Sequence, residues 1–244
     1  MSAEAGSFVI WLHGLGDSGP ANEPIQNLFT ASEFRDTRWS FPTAHSNPVT
    51  CNNGRVMPSW FDIHKFPVTG EKWQPNRSAR FTWFRKIVNF RMTAKSESSP
   101  EVTTGLLDSV KRVHALIDAT VASGIDPRRI FVCGLSQGGA LTVASVLLYP
   151  QTLGGAAVFS GWIPSNASLI KQVTPEAKKT PMLWCHGTDD SLILFDAGKA
   201  GQHFLKKAGI NCEFKAYPGL KHELRDEELL YLGSWIKSHL GSSS

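Results

Sequence analysis

Apolar runs and helix-period stretches alternate along the chain. Residues 7–12, SFVIWL, form a short continuous apolar run, the pattern of a strand buried on both faces. Pro20 to Ser32 predicts a helix with proline in its first turn. TRWSF (37–41) predicts a second strand, and residues 42–60, rich in Pro, Asn and Thr, predict a long loop. Leu106, Leu107, Val110, Val113, Leu116, Ile117 and Val121 recur at helical spacing, with Gly124 as the stop. RIFVCGL (129–135) predicts a strand, and QGGALTVASVLLY (137–149) an apolar helix ended by Pro150. AAVFSG, PMLWCHG and CEFKAYPG each read as a strand followed by a turn. Leu229, Leu232, Ile236 and Leu240 mark one face of a last helix from about Asp226 to Leu240.

Strands alternating with helices predict an α/β fold, a mostly parallel sheet with helices on both faces. The length of 244 residues suits one domain over 1–244, with no large separate cap. Sites in such sheets form at the carboxyl ends of the strands, so the turns after the strands are where chemistry is expected.

One of those turns reads Gly134-Leu135-Ser136-Gln137-Gly138, the strand–turn–helix pattern G-x-S-x-G. The spacing has a physical reason. A serine held in a tight turn needs small neighbours, and the following helix N-terminus offers backbone N–H groups to a developing oxyanion. The bare pattern is weak, and a structural glycine turn is the alternative. The apolar run before it and the apolar helix after it favour a nucleophile.

A serine nucleophile needs a base and an orienting acid, in the chain order Ser, Asp/Glu, His for this kind of elbow. Four of the eight histidines follow Ser136. His186 precedes the acid candidates, and His203 and His239 fall inside helical patterns. His222 lies in YPGLKHE, between the last strand and the last helix, where the base belongs. The turn after PMLWCHG offers Asp189 and Asp190, and spacing leaves the pair close to even. A second oxyanion donor is expected from the glycine-rich WLHGLGDSG (11–19). That loop lacks the order of a nucleotide-binding glycine loop.

Charge and cysteines narrow the classes. The formal net charge is +4. Residues 70–92 hold six Lys/Arg (Lys72, Arg77, Arg80, Arg85, Lys86, Arg91) against Glu71, so the rest of the chain is near neutral. A basic face for nucleic acid is therefore not expected. The four cysteines, Cys51, Cys133, Cys185 and Cys212, show no metal or redox spacing. No apolar stretch approaches the roughly 20 residues of a membrane span, and no signal peptide is read at the start. The expectation is a soluble, cytoplasmic protein.

Five motifs in one order, HGLGDSG (13–19), MPSWFD (57–62), GLSQGGA (134–140), HGTDD (186–190) and GLKHE (219–223), resemble the acyl-protein thioesterase/carboxylesterase family of α/β-hydrolases. GPANEPIQ, NPVTCNNG, SVLLYP and CEFKAYPGL resemble its plant branch, which includes carboxylesterases named for suppressing AvrBsT-elicited resistance. The resemblance implies Ser136 as nucleophile, Asp190 rather than Asp189 as acid, and His222 as base. It implies an oxyanion hole from the backbone N–H groups of Leu15 and Gln137, with Trp60 beside the acyl groove. It implies no metal and no cofactor. The implied substrates are acylated proteins and small carboxylic esters, with lysophospholipids and short-acyl or deacetylase activity within the family's range.

The chain departs from the family in two places. Lys221 and Glu223 flank His222 where relatives carry small residues, and their charges act on it in opposite senses. Residues 70–92 are about 20 extra. They read as a basic aromatic flap with a weak membrane-surface contact, a nucleic-acid site, a disordered loop or a gene-model artefact, the last two favoured. The alternatives are a catalytically silent binding protein on the same fold and a lysophospholipase recruited to membranes by the basic segment.

Overall fold

A computed structural model of the chain describes residues 6–69, 100–164 and 172–240. The expectations for residues 70–92 lie outside these residues. In chain order the elements are β1 (Phe8–Leu12), α1 (Gly19–Asn22), β2 (Arg38–Ser40), β3 (Ser46–Val49) and β4 (Arg55–Pro58). They continue with α2 (Pro100–Ala122), β5 (Ile130–Leu135), α3 (Gln137–Leu148), β6 (Gly155–Phe159) and β7 (Met182–Gly187). The last are α4 (Phe195–Lys207), β8 (Cys212–Tyr217) and α5 (Asp226–Leu240).

Six strands form one sheet in the order β2-β1-β5-β6-β7-β8, with every pairing parallel. Successive side chains of a strand point to opposite faces, and the apolar runs fill both. Ile10, Leu12, Val132, Val158 and Trp184 pack with α2, α3 and α4 on one face. Val9, Trp11, Phe131, Phe159 and Leu183 pack on the other with Leu229, Leu232 and Ile236 of α5 and with Phe29 and Phe34. The central helix α3 is buried from Gln137 to Leu147, because α2 covers its outer side. A helix apolar all round needs such a double cover. Gly124 follows α2 at φ +96°, a left-handed position that costs glycine little.

Two sequence expectations give way. The helix expected over Pro20–Ser32 is one α-turn, α1, followed by 3₁₀ turns at Glu23–Leu28 and Ser32–Phe34. Pro24 lacks the amide hydrogen a continuing helix needs, and its ring clashes with the carbonyl four residues back. The loop expected over 42–60 contains the antiparallel hairpin β3–β4, with Asn53 and Gly54 at positive φ in its turn. Ser46, Asn47 and Pro48 are exposed, so this hairpin has no apolar alternation to announce it.

Candidate active site

The carboxyl ends of β5, β7 and β8 bring three predicted residues together. Ser136 leaves β5 at φ 56°, ψ −118° and caps the N-terminus of α3. That conformation is strained for a residue with a side chain, and its surroundings over-determine it. The Ser136 N–H donates to Phe159 O at 2.8 Å. A Cβ on Gly138 would lie 2.0 Å from Leu12 O, and one on Gly134 2.5 Å from the Gly138 carbonyl carbon. Only glycine at these two positions lets α3 start this close to β1 and β5.

The turns after β7 and β8 are laced together. Asp189 N–H donates to Leu220 O at 3.0 Å, and Gly219 N–H donates to Thr188 Oγ1 at 2.9 Å. This lacing sets His222 over Asp190. His222 Nδ1 lies 2.7 Å from Asp190 Oδ2, and His222 Nε2 lies 2.9 Å from Ser136 Oγ. The Asp190 side chain is buried, and its Oδ1 accepts from the N–H groups of Leu192 and Ile193 at 2.9 Å each. Burial pushes the Asp190 carboxyl up. The His222 hydrogen bond and charge and the two amides outweigh it, so the group sits below its ordinary value and is ionised. The proton between Asp190 and His222 therefore belongs to Nδ1, and Nε2 is left to accept from the Ser136 hydroxyl. Asp189 is exposed, its carboxylate taken by Thr188 Oγ1. Glu223, the acid flanking His222, pairs with Arg225 at 2.9 Å.

His186 has a place that the sequence reading missed. It ends the buried run of β7, with Nε2 2.8 Å from Ile193 O and 3.6 Å from Asp190 Oδ2. Trp184 Nε1 donates to its Nδ1 at 3.4 Å. Burial lowers its pKa, against the raising effects of the Ile193 carbonyl and Asp190. It is a neutral imidazole with its proton on Nε2, packed beneath the acid. The signal was available, since MLWCH continues one apolar run into the histidine.

The loop after β1 meets the elbow through Trp60. Trp60 Nε1 donates to His13 O at 2.9 Å, and Trp60 N donates to Gln137 Oε1 at 3.1 Å. Ser109 Oγ donates to Trp60 O. Trp60 is 3% exposed; it also lines a cavity of about 310 Å³ with Pro42, Arg112, Val113, Ala115 and Leu116, a lining that includes none of Ser136, Asp190 and His222. Leu15 lies between two anchors of its loop, His13 O on Trp60 and Gly16 N–H on Pro58 O at 2.9 Å. Among the described residues, neither the Leu15 nor the Gln137 N–H has a protein acceptor. Also among them, no three His, Cys, Asp or Glu side chains are grouped as metal ligands.

Behind the His222 turn, Glu228 in the first turn of α5 is fully buried. Its Oε2 accepts from Arg225 N at 3.0 Å, while Oε1 has no hydrogen-bond partner among the described residues. Burial pushes this carboxyl up to about 7, against the lowering Arg225 amide and charge. The folded value lies above the unfolded one, so the protonated form stabilises the fold. That stability is complete below the unfolded pKa and is lost as pH rises through about 7. Glu228→Gln keeps the cap on Arg225 and removes the titration. The variant is expected to melt several degrees above wild type at about pH 8.5, a gain of about 3 kcal/mol, and about level with it at about pH 4.5. Calorimetry at the two pH values checks this, and equal melting temperatures at both would refute it.

A parallel sheet with a serine at a strand–helix elbow, and an aspartate and a histidine on turns after later strands, defines an α/β-hydrolase with a serine-hydrolase layout. More narrowly, the chain belongs to the phospholipase/carboxylesterase family, whose profile matches residues 2–99 and 66–240. A probable carboxylesterase from Oryza sativa subsp. japonica is 56% identical over 237 residues, 97% of this chain and 79% of that protein. The crystal structure of Arabidopsis thaliana SOBER1, a carboxylesterase, aligns with a TM-score of 0.82 at 53% identity, over 97% of this chain and 100% of that one. A probable inactive carboxylesterase from Oryza sativa subsp. japonica is 47% identical, over 97% of this chain and 86% of that protein. Among the described residues no helix is long and apolar enough to cross a membrane.

Proposed function

We propose that this chain hydrolyses carboxylic esters and acyl thioesters through an acyl-enzyme on Ser136. The observation that carries the reading is the pair of hydrogen bonds, 2.9 Å and 2.7 Å, that run from Ser136 through His222 to Asp190. In this reading Ser136 Oγ attacks the acyl carbonyl as its proton passes to His222 Nε2. The oxyanion that forms is received by the N–H groups of Leu15 and Gln137. His222 then protonates the departing thiolate or alkoxide as the C–S or C–O bond breaks. Water attacks the acyl-serine with His222 again as base, and the carboxylic acid leaves. Asp190, ionised and fixed by two backbone amides, stabilises the imidazolium of both steps. Trp60 is assigned to the wall of the acyl site on the strength of the MPSWFD motif and of its hydrogen bond to the Gln137 side chain beside Ser136.

Turnover of a p-nitrophenyl ester series from acetate to palmitate, with a matching thioester, tests the reading. The expected result is turnover with loss of activity on fluorophosphonate labelling of Ser136. The chain length at which kcat/KM falls reads the depth of the acyl site. A relative named as inactive supports a second reading, a binding protein without turnover. Saturable binding of an ester with neither hydrolysis nor labelling would select it and reject the first.

A further inference from the structure

The two amides assigned to the oxyanion come from loops far apart in sequence, at Leu15 and Gln137. Their spacing depends first on the pairing of β1 with β5, which ends at Leu12 and Gly134. Beyond that pairing, the segment from Pro58 to Phe61 bridges them. On one side it holds the Leu15 loop at two points that flank the residue, through Pro58 O on Gly16 N–H and Trp60 Nε1–H on His13 O. On the other side, among the described residues, the hydrogen bonds that tie the elbow to it come from one side chain. The Gln137 carboxamide is fully buried and accepts from Trp60 N at 3.1 Å. It also donates to Ser59 Oγ at 3.0 Å and to Phe61 O at 2.6 Å.

We infer that the Gln137 side chain is a positioning residue for the reaction, clamping the Ser59–Phe61 segment so that the Leu15 and Gln137 amides and the Trp60 wall move as one body. The inference rests on the serine-hydrolase reading above. The chemistry of the site selects glutamine. The segment presents one donor, Trp60 N–H, and two acceptors, Phe61 O and Ser59 Oγ, whose own proton goes to Phe61 O at 2.7 Å, and a carboxamide is the neutral group of that length that meets all three. A carboxylate meets the donor but faces the Phe61 carbonyl with charge, and it can take the Ser59 hydroxyl proton only by withdrawing it from that carbonyl. A methionine leaves the buried Trp60 N–H without a partner and takes a donor from both Ser59 Oγ and Phe61 O, which then keep only their bond to each other at 2.7 Å.

Gln137→Glu separates positioning from packing. A buried glutamic acid regains one donor when protonated, so its defect depends on pH, whereas a packing defect does not. With p-nitrophenyl acetate, kcat at about pH 8 is expected to fall roughly 100-fold, with KM changed less than about threefold. The ratio of variant to wild-type kcat is expected to rise at least about fivefold on going to about pH 6. A ratio independent of pH, or a kcat within about threefold of wild type throughout, overturns the inference. Should Gln137→Glu not fold, Ser59→Ala removes one of the three contacts, together with the Ser59 Oγ–Phe61 O bond inside the segment, at little cost in packing. It is expected to lower kcat about fivefold at a near wild-type melting temperature, and unchanged kcat overturns the inference. Wild type without turnover or labelling defeats the serine-hydrolase reading and this inference with it. An active wild type with an indifferent Gln137→Glu defeats this inference alone.

Discussion

Ser136→Ala is expected to lower kcat/KM for p-nitrophenyl acetate by roughly 10⁵-fold while leaving the fold intact. The size of the effect follows from what remains. His222 Nε2 loses the hydroxyl 2.9 Å away, so neither nucleophile nor acyl-enzyme is left. The Leu15 and Gln137 amides, proposed above to receive the oxyanion, survive, and in that reading a small residual acceleration over water survives with them. The fold should tolerate the change because Ser136 ties its turn together through its backbone. Its N–H donates to Phe159 O, and its carbonyl accepts from Ala140 N–H. Alanine keeps the Cβ that already sits at φ 56°, so no new strain enters. A melting temperature within a few degrees of wild type is expected, a change of about 1 kcal/mol or less. Equal ester rates for the two proteins would remove Ser136 from the mechanism.

The elements that carry this site were legible because their signals are local. β1, β5 and β7 are continuous apolar runs, and both faces of the sheet are covered by helices. The elbow announced itself through Gly134 and Gly138, whose absent side chains are required by contacts with Leu12 and with each other. The order of Ser136, Asp190 and His222 follows from strands that run parallel and deliver each turn to the same edge.

What stayed hidden depends on partners distant in sequence. Nothing near Gln137 shows that its side chain, and not only its N–H, would reach residues about 76 positions away. His186 was set aside because it precedes the acid candidates; the apolar run MLWCH reaches it, but that Ile193 and Asp190 fold over it shows only in the structure. Trp60 was assigned to the acyl groove from the family motif. The structure adds that its three polar atoms are all spent on His13, Gln137 and Ser109, which no motif states. The choice between Asp189 and Asp190, even by spacing, turns on which carboxylate finds two inward amides.

Those two amides also govern what Asp190→Asn would do. Leu192 and Ile193 both donate to Oδ1, and two donors require an oxygen there. An asparagine at 190 therefore keeps its carbonyl oxygen on the amides and turns its NH₂ toward His222. That NH₂ donates to Nδ1, so Nδ1 must carry the lone pair and the ring proton moves to Nε2. The imidazole then offers a donor to Ser136 Oγ where catalysis needs an acceptor, and the negative charge that steadied the imidazolium is gone. A roughly 10⁴-fold loss of kcat is expected, with KM little changed, since the residue does not touch the acyl group. His186 should not compensate, because its Nε2 proton is committed to Ile193 O and burial keeps the ring neutral. Asp189→Asn is the control. Its carboxylate faces solvent beside Thr188, and activity within about twofold of wild type is expected. Steady-state kinetics of the two variants decide between the neighbours. A tenfold or smaller loss in Asp190→Asn, or a large one in Asp189→Asn, would mean that the tautomer of His222 is set by another group.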